Sequence, residues 1–434
     1  MANIAPIAIT TYAYQVGFGD CLLLEFEYPN EARFVLVDYG TTKLPPAASK
    51  TRMADIAADI KSKVGTNGLH AVIATHRHQD HISGFASDGN GSGTGDVIAS
   101  LAPKLVVQPW TEDPDLPVNA TGPAARGPNG GGRQFAQALM GMHRFSGEVL
   151  RFAQSKEGVR RLSQPAREQI SFIGEDNLKN LSAVKNLTKM GNASKAEYLY
   201  FGAKTKLSTL LPGVTVHVLG PPTIDQHDNV RNQNPRNKDE YWHLAARALT
   251  DSSVPGRHQR LFPAAETVPG GKLPSYVRWL ADRVRQAQED ELLALLRSMD
   301  DELNNTSLIL LFEIGGKKLL FPGDAQWENW EYALSKDSVR TLLAGTNLYK
   351  VGHHGSLNAT PKTMWNLLKN KGPAPKKGRL KTVLSTTPNK HGSEGNHSEV
   401  PRIKLLNVLK AQSDLHNTDD LRSDELYTET RVEV

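Results

Sequence analysis

The chain has 434 residues, of which 39% are hydrophobic and 22% are charged. A chain of this length and composition can bury a large core, which excludes wholesale disorder and any need for disulfides to compensate for small size. The formal net charge of +5 permits anionic partners without requiring them. Cys21 is the single cysteine, so no intrachain disulfide can form, and we expect a reducing compartment.

The sequence carries no pattern typical of export or of membrane insertion. Its first 20 residues lack the basic n-region and the sustained apolar stretch of a secretory signal. Nowhere do about 18 apolar residues follow one another, as a spanning helix requires. We therefore expect a cytoplasmic protein that does not enter a membrane.

The first 110 residues are predicted to form strands joined by short connections. β-Branched, leucine and aromatic residues are concentrated at 7–16, 21–28 and 34–38, and two short apolar runs follow at 71–75 and 105–108. Residues 53–64 place apolar side chains at helical spacing and predict a helix. These residues therefore predict the first half of an α/β domain.

Residues 111–303 differ in character and are predicted to be an insertion. They open with a Pro/Gly-rich loop at 111–135 and continue with helical patterns, of which the strongest in the chain covers 273–303. A strand pattern returns at 198–219. We expect a mostly helical insertion with strands near 198–219.

Residues 304–434 return to strands and helices and predict the second half of the same domain. The run SLILLFEIGGKKLLFPGDA predicts a hairpin that turns at Gly315-Gly316. Helices are then predicted at 324–334, 361–368 and 399–411, a strand at 380–385 and a final edge strand at 425–434.

The most specific motif of the chain is THRHQDH at 75–81, which directly follows a predicted buried strand. It places four side chains that can bind a metal within six residues: His76, His78, Asp80 and His81. Two imidazoles at i and i+2 on a turn can point at one ion, and the other two side chains can then reach a second ion nearby. Neutral imidazole and carboxylate suit zinc, manganese or iron.

Two further groups follow predicted strands in the second half of the chain. Asp324 comes after LLFPG, where a carboxylate could bridge two metal ions. Alternatively it caps the helix predicted to begin there, since aspartate is a favoured N-cap residue. The adjacent His353 and His354 follow another short strand. All three groups therefore lie on loops at the ends of strands, where rigid scaffolds commonly place functional residues.

In this order the motifs resemble those of the metallo-β-lactamase fold superfamily. FVLVDYG at 34–40, the His-x-His-x-Asp-His run, Gly323-Asp324 and the histidine pair resemble its first, second, fourth and fifth motifs. The resemblance implies a four-layer αβ/βα sandwich with a di-metal site between two sheets, and 111–303 would be a large insertion in it.

The chain more narrowly resembles the ComEC-like branch, the hydrolase domain of competence DNA-uptake proteins. The residues that carry this resemblance are VGFGDCLLL at 16–24, NNTSL at 304–308 and KVGHHGS at 350–356, with a looser similarity around 389–397 and 418–419. The similarity covers about residues 5–110 and 210–420. The chain has no clear counterpart of the histidine in the superfamily's third motif. His217 is the one candidate, but its surroundings predict an ordinary strand residue. The resemblance therefore implies an incomplete set of ligands for the first metal.

The resemblance implies a hydrolase with two divalent metal ions, zinc or manganese. The implied ligands are His76, His78, Asp80, His81, Asp324 and His354. Asp80 would also orient or deprotonate the attacking water, and Asp38 would support the ligand loop through hydrogen bonds. His353 would contact substrate, although its role and that of His354 could be reversed, and His397 would protonate the leaving group.

The sequence leaves three interpretations of the function open. The first is a phosphodiester in nucleic acid or a nucleotide, which the branch resemblance implies. Residues 360–382 fit it, because they contain seven lysines and arginines and no acid, as in a patch that tracks phosphates near the metals; the same composition also fits a solvated surface. The second is a small ester, lactone or thioester, and the third is a metal-bound partner module without catalytic activity.

Overall fold

The structure is a computed structural model that describes residues 5–116, 122–123, 151–164, 167, 181–227, 304–356, 360–388 and 399–434. The chain divides into two compact units. The first contains Met1–Ala136, Lys179–Val230 and Asp301–Val434, and the second contains Gln137–Leu178 and Arg231–Asp300.

The strands of the described residues all belong to the first unit. They are β1 (Ala8–Tyr14), β2 (Cys21–Glu27), β3 (Ala32–Tyr39), β4 (Leu69–Ile73), β5 (Val106–Pro109), β6 (Ala196–Leu199), β7 (Thr215–Gly220), β8 (Ile309–Ile314), β9 (Lys317–Phe321), β10 (Leu348–Lys350), β11 (Lys381–Leu384), β12 (Asp414–Asn417) and β13 (Tyr427–Glu433).

These strands form two mixed sheets. The first has the order β13-β1-β2-β3-β4-β5-β6, antiparallel from β13 to β3 and parallel from β3 to β6. The second has the order β12-β11-β10-β9-β8-β7, antiparallel from β7 to β9 and parallel from β9 to β12. Each sheet therefore has parallel strands whose carboxyl ends meet at one edge.

The described helices differ widely in length. They are α1 (Arg52–Val64), α2 (Gln79–Ile82), α3 (Thr94–Ser100), α4 (Lys156–Arg161), α5 (Leu181–Lys195), α6 (Leu207–Leu210), α7 (Trp327–Leu334), α8 (Asp337–Ala344), α9 (Lys362–Leu367) and α10 (Ile403–Gln412), and short 3₁₀ turns occur at Gly65–Asn67, Ser83–Phe85, Trp110–Glu112, His353–Gly355 and Thr418–Asp420. In the second unit, Ser155 caps α4 by accepting a hydrogen bond from the Gly158 amide at 3.0 Å. No helix among the described residues is long and apolar enough to cross a membrane.

Alternating side chains of the strands build the core between the two sheets. Successive strand residues point to opposite faces, so Leu24 and Phe26 of β2 face the same core as Leu310 and Phe312 of β8. The rings of Phe26 and Phe312 lie 5.8 Å apart between centroids, which places the two sheets in direct contact.

The outer faces of the sheets pack against helices. Leu23 of β2 joins a cluster with Ile56 and Ile60 of α1, whereas Leu311 of β8 joins one with Trp330 of α7. Removing such side chains from water is the main stabilising contribution to a fold of this size. The first unit is therefore an α/β sandwich in which helices cover the outer faces of two sheets.

Most elements predicted for the two ends of the chain are confirmed, including the hairpin β8–β9 and the final edge strand β13. The strands predicted near 198–219 are also present, but they are not part of a separate insertion. β6 pairs with β5 and forms one edge of the first sheet, and β7 pairs with β8 and forms one edge of the second. The helix predicted at 273–303 lies outside the described residues.

Candidate metal centre

The predicted ligands lie at the carboxyl ends of strands from both sheets. THRHQDH follows β4 of the first sheet, while Asp324 and His354 follow β9 and β10 of the second. The segments that follow β4 and β9 lie close together, since a Cβ atom added at Gly323 would lie 2.8 Å from Cβ of Thr75. Two distant parts of the chain thus contribute to one site.

The first group of side chains that can bind a metal consists of His76, His78 and Asp80. One ligand atom of each lies within 4.8 Å of the others, and all three side chains are buried. Burial lowers the pKa of both imidazoles, which therefore remain neutral, as metal binding requires. Nε2 of His76 is buried without a hydrogen-bond partner among the described residues. Such an atom is costly, and a cation would give it a partner.

The second group consists of Asp20, His81, Asp324 and His354, whose ligand atoms also lie within 4.8 Å of one another. Oδ2 of Asp324 lies 3.0 Å from Nε2 of His81 and 3.7 Å from Nε2 of His354. Burial raises the pKa of the Asp324 carboxyl, but the nearby imidazoles, that of His81 above all, lower it by more. The carboxylate is therefore ionised and available as a ligand.

The two groups adjoin each other. Oδ2 of Asp80 in the first group lies 3.0 Å from Nε2 of His354 in the second, and the rings of His76 and His81 are 4.1 Å apart between centroids. Two cations held by these groups would be neighbours, as in sites where a pair of ions acts on one substrate.

Residues 75–81, which carry His76, His78, Asp80 and His81, are called the ligand turn below. Asp38 holds this turn through hydrogen bonds, as the resemblance implied. Its Oδ1 accepts from the Thr75 amide at 2.7 Å, and its Oδ2 accepts from the Thr75 hydroxyl at 2.7 Å. Nδ1 of His81 lies 2.8 Å from Oδ2 of the same carboxylate. The nearby carboxylates, that of Asp324 above all, raise the pKa of His81, so Nε2 also carries a proton in the metal-free chain. A cation that displaces this proton would find Nδ1 already held by Asp38, which is the arrangement of a metal-binding histidine.

Arg77, between the first two histidines, is directed away from them. Its Nε donates to Oε1 of Glu112 at 2.9 Å, and both side chains are largely buried. Glu112 lies in the turn that follows β5. The pair therefore fastens the ligand turn after β4 to the end of the neighbouring strand.

The adjacent histidines occupy different environments. His354 is fully buried, and its Nδ1 lies 3.0 Å from the Ser385 carbonyl, so its Nε2 faces Asp80. The side chain of His353 is 27% exposed, and its Nε2 lies 3.9 Å from Oδ2 of Asp324. Of the two histidines, His354 therefore belongs to a group that can bind a metal, whereas His353 lies partly exposed beside it.

The alternative role of Asp324 as a helix cap is wrong. The following helix α7 begins at Trp327 with Gln326 at its N-cap position. Asp324 is 1% exposed, and its Oδ1 instead accepts from the His353 amide at 3.0 Å. It therefore joins the loops after β9 and β10.

Two other histidines considered from the sequence do not enter these groups. His217 lies in β7, where its Nε2 is 2.8 Å from Oε2 of Glu313 on the paired strand. It is a surface strand residue, as its sequence surroundings predicted. His397 lies outside the described residues, so its predicted role stays a prediction.

Sequence reasoning missed Asp20 and Lys350 as members of the site. The Nζ of Lys350 donates to Oδ2 of Asp20, and both side chains are buried. Burial lowers the pKa of Lys350, but Asp20 and Asp324 raise it by more, so the ammonium stays charged. The two residues are 330 positions apart, and no local spacing pattern indicates that they meet.

Within the basic stretch at 360–382, Lys376 and Arg379 do not lie beside the candidate centre, and for these residues the predicted placement is wrong. Arg379 precedes β11 and is bound to Asp414 at 2.6 Å, whereas Ser385, the partner of His354, follows β11. Arg379 and the centre thus lie at opposite ends of that strand. Lys376 is also occupied, because its Nζ donates to the carbonyls of Lys369 and Lys371.

No protein-family model and no curated protein sequence matches this chain.

Proposed function

We propose that the chain is a metal-dependent hydrolase with the metallo-β-lactamase fold that uses a metal-activated water. The observation that carries this proposal is the pair of adjoining, buried groups of imidazoles and carboxylates at the carboxyl ends of strands from both sheets. The layering of helices outside two mixed sheets supports the fold assignment.

The charges of the buried side chains favour two cations over one. Four carboxylates surround the site, those of Asp20, Asp38, Asp80 and Asp324, and Lys350 is the single ammonium among these five buried residues. In the metal-free chain these carboxylates raise the pKa of His81 and of His354, whose protons offset part of the negative charge. Metal binding requires neutral imidazoles, and with these and ionised carboxylates three negative charges remain uncompensated, which is costly in a buried site. One divalent cation leaves a negative charge, whereas two neutralise the set and leave a positive charge for an anionic ligand.

The residues of the chain have separate roles in this proposal. Two divalent cations bound here would lower the pKa of a water molecule between them and polarise the bond to be broken. Asp80 and Asp324 supply carboxylates to this space, and Asp80 can accept a proton from the water. His353, which is partly exposed beside Asp324, is placed to contact substrate.

For the substrate we favour a phosphodiester, in nucleic acid or in a nucleotide. The support is the resemblance of VGFGDCLLL, NNTSL and KVGHHGS to the ComEC-like branch. Lys376 and Arg379 of the basic stretch give no support, since Arg379 precedes β11 at the end far from the centre and Lys376 is bound to main-chain carbonyls.

A substrate panel tests the proposal. The protein is loaded with zinc or manganese and assayed on bis(p-nitrophenyl) phosphate, DNA, RNA and p-nitrophenyl acetate. We expect phosphodiester cleavage that stops when a chelator removes the metal and that Asp80→Asn abolishes. Asp59→Asn is the matched control, because Asp59 accepts a hydrogen bond from Tyr14 away from the metal groups. Cleavage of the acetate ester alone would contradict the phosphodiester assignment, and no turnover by the metal-loaded chain would contradict the hydrolase.

A further inference from the structure

Asp20 occupies an unusual position for a buried carboxylate. It is 0% exposed, and its Oδ1 has no hydrogen-bond partner among the described residues. Its other oxygen binds Lys350. A buried carboxylate normally satisfies both oxygens, since each unpaired one costs free energy.

The backbone around Asp20 holds this carboxylate against the ligand turn. The Asp20 amide donates to the Asp80 carbonyl at 2.8 Å, and the Asp20 carbonyl accepts from the Gly40 amide at 2.9 Å. A Cβ atom at Gly19 would lie 2.3 Å from the Gly40 carbonyl oxygen, so only glycine permits this approach. The carboxylate is thus fixed in place by main-chain contacts.

We infer that Asp20 is a ligand of the cation in the second group, together with His81, Asp324 and His354, and that Lys350 positions it. The four ligand atoms are within 4.8 Å of one another, which fits one cation. Lys350 binds one carboxylate oxygen and leaves the other for the metal. This inference rests on the proposed metal centre and extends it by one ligand.

The same arrangement would give the first cation three protein ligands in the absence of a third-motif histidine. With Asp20 in the second group, Asp80 is grouped with His76 and His78 and supplies a third protein ligand there. Three protein ligands with an open position are the usual set of a catalytic zinc site. Because Asp20 supplies a carboxylate to the second cation, Asp80 is free to bind the first.

The competing role for Asp20 is that of a counter-ion for Lys350 only. Single variants do not separate the two roles, because Asp20→Asn leaves a buried ammonium without its partner and can unfold the chain. The double variant Asp20→Asn with Lys350→Met removes both charges and keeps similar side-chain volumes. Its fold is checked by the melting temperature of the metal-free protein.

Zinc affinity, measured by chelator competition, and the absorption spectrum of the cobalt-loaded protein are then compared with those of wild type. We expect the double variant to bind its second zinc at least about 10-fold more weakly and to show an altered cobalt spectrum. Two zinc ions bound with wild-type affinity and an unchanged spectrum would show that Asp20 is only a counter-ion.

A zinc-loaded crystal of the wild-type chain provides a measurement that does not depend on variant folding. We expect an Asp20 oxygen at about 2.0–2.2 Å from the second zinc ion. Zinc in both groups with Asp20 bound to Lys350 alone would overturn this inference and leave the proposed function intact. A wild-type chain that binds no zinc in either assay would overturn both.

Discussion

At the residue scale, Asp38 connects a strand of the first sheet to two parts of the ligand turn. Its two oxygens engage the amide and hydroxyl of Thr75 and the Nδ1 of His81. Asp38 accepts the hydrogen bonds from the Thr75 amide and hydroxyl, and it also accepts the one from Nδ1 of His81 when that nitrogen carries a proton. The Asp38 carboxylate therefore sets both the position and the tautomer of His81, although Asp38 itself belongs to neither metal-binding group.

We predict that Asp38→Asn lowers zinc affinity by about 10–100-fold, because the amide NH₂ replaces one acceptor with a donor and turns the imidazole of His81. Chelator competition measures this change. Asp59→Asn again serves as the control, since it removes a carboxylate that binds Tyr14. Equal affinities for the Asp38 variant and wild type would show that the hydrogen bonds of Asp38 do not support a metal.

Asp324 gives a second prediction at this scale. Asp324→Asn should lower turnover by about 100-fold or more while the chain still folds, because the variant keeps the size of the side chain and loses the charge between the imidazoles. The measurement is the turnover rate on bis(p-nitrophenyl) phosphate at saturating metal. Asp337→Asn, an exposed position in the first turn of α8, controls for a carboxylate near a helix start. A rate within twofold of wild type would refute the role of Asp324.

The local motifs explain which site residues the sequence revealed. His76, His78, Asp80 and His81 fall within six positions, so their spacing alone indicates a metal site. Asp20 and Lys350 meet only because β2 and β10 belong to sheets that pack together. Single residues that meet across 330 positions leave no spacing pattern in the sequence.

At the element scale, His70 marks an irregularity between β3 and β4. The register pairs Phe34 with Leu69 and Val35 with Ala71, so His70 is the extra residue of a bulge. The Phe34 amide donates to Nδ1 of His70 at 3.2 Å, which requires that nitrogen to be unprotonated. Burial lowers the pKa of His70 to about 4.

The lowered pKa predicts a loss of stability in acid. Between pH 6.5 and about 4 the unfolded chain binds the proton and the folded chain does not, so stability is full above pH 6.5 and falls as the pH drops through this window. We expect the wild-type melting temperature to fall by a few degrees more than that of His70→Asn between pH 7 and pH 4.5. Parallel melting curves for the two proteins would contradict the prediction.

The turn after β3 gives a prediction about close packing. A Cβ atom at Gly40 would lie 2.5 Å from the Asp80 carbonyl carbon and from the His81 nitrogen, so Gly40→Ala must displace the ligand turn. We expect it to weaken zinc binding by about 10-fold or more. Gly122→Ala is the control, because its new Cβ would contact Thr223 at an ordinary 3.6 Å. Zinc affinity that is the same in both variants would contradict the prediction.

Regular elements were predictable where their side chains alternate. The hairpin β8–β9 places Leu310 and Phe312 toward one core and Leu311 toward the other, and this period of two is visible in the sequence. The strand β12 (Asp414–Asn417) was missed, because DLHN has no apolar alternation and becomes a strand by pairing with β11. Tertiary context, which the local sequence does not contain, determines such strands.

At the scale of the whole molecule, the candidate centre exists because the two sheets pack face to face. The first sheet contributes the turn after β4 and the second contributes the loops after β9 and β10. Each half alone would leave the second group incomplete, because Asp20 and His81 come from the first half and Asp324 and His354 from the second. Cation binding should therefore stabilise the packed sandwich, because a ligand that binds only the folded chain shifts the unfolding equilibrium.

The central claim is that the two groups form adjacent metal sites, and zinc stoichiometry tests it most directly. Elemental analysis after zinc reconstitution and gel filtration would compare wild type with His78→Ala, His354→Ala and the double variant. We predict about two zinc ions per wild-type chain, about one in each single variant and none in the double variant, because each substitution opens the shell of one cation. A wild-type chain without zinc, or the same stoichiometry in all four proteins, would contradict the account.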